Sequence, residues 1–142
     1  MSSDSDITDV SASEEEKRKP RLGYVPINQM ALLRDASMRI REAFGHPAYH
    51  VGSSLTRPDW RDVDVRLILA DDEFDALFKD RPQEFWSLLC LSITEYLSRV
   101  SRLPVDFQIQ RQTEANAKYG KGHYRNPLGL SGLPNLYAGG WA

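Results

Sequence analysis

The stretch Asp62-Val63-Asp64-Val65-Arg66-Leu67-Ile68-Leu69-Ala70 has the composition of a buried β-strand, rich in Val, Leu and Ile and begun by acids. Side chains alternate faces along a strand, so Val63, Val65 and Leu67 turn one way, into a core, while Asp62 and Asp64 turn the other. Arg66 falls on the acid face. Two carboxylates side by side on one strand repel, and a fold tolerates them when both lie in solvent or a cation sits between them. Hard divalent cations such as Mg²⁺ or Mn²⁺ favour such oxygen ligands.

The same alternation recurs downstream in Val105-Asp106-Phe107-Gln108-Ile109-Gln110, where Val105, Phe107 and Ile109 share one face and Asp106, Gln108 and Gln110 the other. If the two strands are neighbours in register, Asp106 joins Asp62 and Asp64, and three carboxylates could hold two metal ions about 3.5–4 Å apart, as in phosphoryl transfer. Upstream, Tyr49 to Val51 form a short β-rich run that ends at Gly52-Ser53-Ser54. Gly52 lets backbone approach a ligand closely, and Ser53, with Ser54, offers hydroxyl and N–H groups to phosphate oxygens.

Helices fill the rest. Met30, Leu33, Ala36, Ile40, Ala43 and Phe44 recur at helical spacing until Gly45 and Pro47 stop them. Asp71 and Asp72 are placed to cap a short helix over Phe74, Leu77 and Phe78. Pro82 opens a longer helix with an apolar face of Trp86, Leu89, Ile93, Leu97 and Val100. Cys90 on or beside that face reads as a buried, inert thiol. A further short helix is expected over residues 112 to 118. The expected class is α/β (α+β): one small mixed sheet with flanking helices.

The 142 residues suit one domain, preceded by a polar, disordered tail over residues 1–22. The domain spans 23–118, and a Gly/Pro/aromatic C-terminal arm spans 119–142. A net charge of −2 gives no support for nucleic-acid binding through bulk positive charge. A single cysteine excludes an intrachain disulfide, and no run of about 20 apolar residues offers a membrane span. The expectation is a soluble, cytoplasmic protein with no membrane partner.

Gly52-Ser53, eight residues, Asp62-Val63-Asp64 and then a strand carrying Asp106 together resemble the polymerase-β-type nucleotidyltransferase superfamily, in particular its minimal members. The resemblance spans roughly residues 28 to 110. It implies that Gly52 and Ser53 bind a nucleoside triphosphate, that Asp62 and Asp64 ligate Mg²⁺, and that Asp106 ligates metal and helps deprotonate the attacking hydroxyl. Similar proteins move a nucleoside monophosphate onto a hydroxyl of RNA, protein or a small molecule. Arg66 departs from the family pattern, which has an apolar residue there. It could pair with Asp106, reach a phosphate, or neutralise the site in place of a metal. Two rival readings follow: a degenerate fold that binds nucleotide or RNA without catalysis, and an interaction protein that docks through its C-terminal arm.

Between cradle and acids, Arg57 and Arg61 are candidates to grip triphosphate, and Trp60 to stack on a base; an ordinary surface loop is the plainer expectation. His46 and His50 lack the spacing of a zinc site. Lys118, Lys121, His123, Tyr124 and Arg125 form a basic-aromatic run of the kind that contacts nucleotides, though such runs are more often solvated loops. Walker-type loops, Gly-x-Gly-x-x-Gly, His-Glu-x-x-His and Gly-x-Ser-x-Gly are absent.

Overall fold

The structure, a computed structural model, describes residues 23–119 and 125–129. The proposed tail, residues 1–22, and the arm beyond Gly129 lie outside the described residues, as do Lys121, His123 and Tyr124. Chain order is α1 (Ile27–Phe44), β1 (Ala48–Val51), α2 (Ser53–Thr56), β2 (Val63–Leu69), α3 (Asp71–Phe78), α4 (Gln83–Ser101), β3 (Val105–Arg111), α5 (Gln112–Tyr119) and β4 (Asn126–Pro127). The four strands form one mixed sheet in the order β3-β2-β1-β4. β1 runs antiparallel to both β2 and β4, and β2 runs parallel to β3. A parallel pair cannot be joined by a tight turn, and α3 with α4 supply the crossover. The expected α/β class with a small mixed sheet is the class observed.

Register follows from the alternation. Val65 pairs with both His50 and Phe107, and Leu67 with both Ala48 and Ile109. These residues make up the inner face, fully or almost fully buried, with Leu33, Ile40 and Leu97 from α1 and α4 in the same core. Burying a side chain of this size contributes about 1.5–3 kcal/mol. α1 ends as expected at Gly45, whose N–H reaches Arg41 O. α4 departs from its expected stripe at one end, because Val100 is 38% exposed. Among the described residues, no helix is long and apolar enough to cross a membrane.

β3 is an edge strand, and α4 lies along its free side. Val105 N–H donates to Ser98 Oγ at 3.1 Å, Phe107 N–H to Thr94 Oγ1 at 3.0 Å and Ile109 N–H to Cys90 Sγ at 3.4 Å. The hydroxyls return bonds to Val105 O and Phe107 O, and the Trp86 indole donates to Ile109 O at 2.8 Å. Four helical residues rise about 6.0 Å and two strand residues about 6.6 Å, so a side chain every fourth residue meets every second peptide. The helix thereby occupies donors and acceptors that would otherwise template another strand.

Two expectations shift. Asp71 does not cap its own helix: it accepts from Thr113 N–H at 3.1 Å and from the Thr113 hydroxyl, tying α3 to α5. Part of the segment set apart as a C-terminal arm joins the sheet. Residues 126 and 127 pair with β1, Leu128 N–H reaches Ala48 O at 2.7 Å, and Leu128 is 1% exposed. Gly129, at φ 73°, leaves no room for a Cβ against the Ser37 carbonyl of α1.

Candidate functional site

The outer face of the sheet carries the acids. Val51, Asp64 and Asp106 stand opposite one another in one row across β1, β2 and β3, and Tyr49, Arg66 and Gln108 form the next row. A zero-offset parallel register therefore brings Asp64 beside Asp106, as expected. Asp62 lies on a bend one residue before β2 and is exposed, so it is not a strand residue. It still stands within electrostatic reach of Asp64. Among the described residues, no group of three or more His, Cys, Asp or Glu side chains is close enough to hold a metal ion.

Arg66 is the reason Asp106 is engaged elsewhere. Its side chain is only 4% exposed, yet it carries a permanent charge. Nη1 donates to Asp106 O at 2.6 Å and Val65 O at 3.1 Å, and Nη2 donates to Asp106 Oδ2 at 3.2 Å. Nη2 also lies 3.7 Å from Asp64 Oδ1. Nε is buried without a hydrogen-bond partner. Of the three roles open to Arg66 from sequence, pairing with Asp106 is the one the geometry realises.

Burial pushes the Asp64 carboxyl above its ordinary range; Arg66 pulls it down, Asp106 and Asp62 push it up, and Lys118 pulls it down. Asp64 is thus a strained anion among anions, the condition in which an added cation is most welcome. Lys118 was placed by sequence in a basic-aromatic run remote from the acids; α5 returns it to the site because that helix folds back immediately after β3.

The cradle residues divide. Gly52 sits at φ 83° at the head of α2, and a Cβ there would fall on Asp64 Oδ2. Only a glycine lets this turn lie against the carboxylate. Ser53 is half-buried beside it, but Ser54 is fully buried and its hydroxyl lies 2.6 Å from His50 Nε2. Ser54 accordingly faces the core rather than the acids. His50 was a residue that sequence reasoning left without a role. Burial lowers its pKa to about 4, which keeps it neutral and makes it the internal partner of the turn.

The loop contributes less than expected. Arg57 is held by Asp59 through bonds of 3.0 and 2.8 Å on the surface, and Arg61 is exposed. Trp60 is half-buried against the core with its indole donating to Tyr24 O at 3.2 Å, so it braces the loop instead of offering a free ring. Carboxylate oxygens at Asp62 and Asp64 are the donor chemistry that suits Mg²⁺ or Mn²⁺. Asp106 suits it less, with one oxygen committed to Arg66. Comparison of the chain with family models, curated proteins and solved structures finds no match.

Proposed function

We propose that the protein is a metal-dependent nucleotidyltransferase that moves a nucleoside monophosphate from a nucleoside triphosphate to a hydroxyl on RNA, protein or a small molecule. The observation that carries the reading is the meeting of Gly52 with Asp64. A glycine turn at left-handed φ lies against a half-buried carboxylate that faces Asp106 across the sheet. Phosphate oxygens approaching the Gly52-Ser53 backbone arrive beside the acids.

In this reading Asp62 and Asp64 would hold a divalent ion, Mg²⁺ or Mn²⁺, whose charge would offset that of the triphosphate. Ser53 binds phosphate oxygens through its hydroxyl and backbone. The oxygen of Asp106 not engaged by Arg66 accepts the proton of the acceptor hydroxyl. The acceptor's own hydroxyl oxygen, freed of that proton, bonds to the α-phosphorus as the bond to the oxygen bridging to the β-phosphate breaks, and pyrophosphate leaves in line. Arg66, charged and buried, holds Asp106 in place and stabilises the negative charge that develops beside it.

Arg66 also favours a second reading: the same fold binding nucleotide without turnover, its internal guanidinium standing in for metal. One experiment separates the two. Purified protein is incubated with each α-labelled nucleoside triphosphate, Mg²⁺ or Mn²⁺, and a mixture of RNA and protein acceptors. Label incorporated by the wild type and abolished in Asp62→Ala/Asp64→Ala is the outcome expected. Nucleotide binding that persists in chelator, with no incorporation under any condition, moves the conclusion to the non-catalytic domain.

A further inference from the structure

Resting on the transferase reading, we infer that Arg66 is a built-in second cation, so that the site takes one divalent ion, on Asp62 and Asp64, and not two. Asp64 and Asp106 are level at the start of β2 and β3, and carboxylates on neighbouring strands are what a two-ion centre is ordinarily built from. Here the place between Asp64 and Asp106 is already occupied by the Arg66 guanidinium, 3.2 Å from Asp106 Oδ2 and 3.7 Å from Asp64 Oδ1.

Three properties make that occupation permanent. The guanidinium cannot shed its proton inside a protein, so it does not become neutral to make way for a metal. Its side chain is 4% exposed and anchored by two carbonyl oxygens, Val65 O and Asp106 O, as well as by the carboxylate. Displacing it would strip a buried guanidinium of its carboxylate and carbonyl partners. The charge balance agrees. Asp62, Asp64 and Asp106 set against Arg66 and the nearby Lys118 leave one negative charge, which a single divalent ion already more than cancels. Asp62 is exposed and Asp64 half-buried, so this pair keeps an approach from solvent.

The consequence for the reaction is a division of labour. The ion at Asp62 and Asp64 belongs with the triphosphate, while the positive charge beside the acceptor oxygen comes from the protein. Asp106 then works as a group positioned by Arg66 and not as a metal ligand.

The test counts ions. Mn²⁺ is titrated into the full chain, with free Mn²⁺ followed by electron paramagnetic resonance and heat by calorimetry, in the absence of nucleotide and again with one equivalent of a non-hydrolysable nucleoside triphosphate, the total number of ions per chain being counted in each case. One Mn²⁺ per chain is expected for the wild type and for Asp106→Asn, none for Asp64→Asn, and two for Arg66→Met, in which Asp106 is released. Two ions on the wild type, loss of the ion in Asp106→Asn, or a count still at one in a folded Arg66→Met overturns the inference while leaving the transferase reading intact. If Arg66→Met fails to fold, the wild-type count and Asp106→Asn decide alone. No Mn²⁺ bound in the millimolar range overturns both, and one ion bound without label transfer counts against the transferase reading only.

Discussion

Replacing Thr94 with Val tests whether α4 secures the edge of the sheet. The two side chains are nearly isosteric, so the substitution removes one hydroxyl and little volume. That hydroxyl accepts from Phe107 N–H at 3.0 Å and donates to Phe107 O at 3.3 Å. Phe107 is 1% exposed and lies between Val105 and Ile109, whose peptides are met by Ser98, Cys90 and Trp86. With Val at 94, the amide and carbonyl of Phe107 lose their partner where the flanking helix keeps water out. An orphaned buried backbone group costs about 1–3 kcal/mol, and relaxation lets one of the two recover in part, so a loss of about 2 kcal/mol is expected. For a domain of this size that is a fall of roughly 8–16 °C in Tm. Urea unfolding followed by circular dichroism reads it as a lower midpoint at unchanged slope. Two controls frame the result. Thr94→Ser keeps the hydroxyl and should lose less than about 1 kcal/mol. Ser92→Ala removes an exposed hydroxyl bonded to Leu88 O and should stay within about 0.5 kcal/mol of the wild type. A Thr94→Val midpoint indistinguishable from Ser92→Ala, or a Thr94→Ser loss equal to that of Thr94→Val, would refute the reasoning.

Stability should fall with acid through His50. Its pKa is about 4 when folded against the ordinary histidine value of 6.5, so the unfolded chain takes up the proton first. Stability is then constant above about pH 6.5 and declines by about 3 kcal/mol towards pH 4. Asp64 has the opposite sign, its raised pKa costing stability as pH rises through its folded value, so the difference between wild type and His50→Gln isolates the histidine. A difference independent of pH from 7 to 4 would contradict this account. Gly52→Ala should destabilise by about 1–2 kcal/mol from the left-handed backbone alone, and more because the methyl falls on Asp64 Oδ2. Removing the carboxylate in Gly52→Ala/Asp64→Ala should recover the second part, visible in a double-mutant cycle of unfolding free energies; strict additivity of the two losses would show that the turn and the acid do not touch.

Period-two alternation made β2 and β3 legible, because each carries its apolar residues at odd positions and its polar ones at even positions over several pairs. The helix stop at Gly45 was equally local. What escaped was whatever depended on a partner distant in sequence. Residues 126 and 127 form a strand too short to show any period, and they are recruited because β1 has a free antiparallel edge and Leu128 fills the core. Asp71 has the composition of a helix cap, but Thr113, 42 residues on, outbids the helix's own amides. From sequence the stripe of α4 reads as an apolar face with Cys90 on or beside it. Cys90, Thr94 and Ser98 sit within it as polar interruptions whose purpose is visible only once β3 lies alongside.

The site shows the same division in electrostatic form. Alternation alone places Asp64 and Arg66 on one face of β2, because that requires only the geometry of one strand. It does not say whether the arginine meets a phosphate or a carboxylate. That outcome turns on β3 lying parallel to β2 with Asp106 level with Asp64, one row before Arg66. From there the guanidinium leans back along the strand to Asp106. A slip of one residue in β3 would send Asp106 into the core and leave Arg66 without its anchor. A slip of two would carry the carboxylate to the row of Arg66 itself, or two rows beyond it. The register is held by Val63, Val65 and Leu67 packing level with Val105, Phe107 and Ile109 on the inner face, and by the ladder of α4 side chains on the outer edge of β3. The arrangement of charges at the candidate site is therefore set by apolar packing on the inner face of the sheet and by hydrogen bonding along the edge of β3.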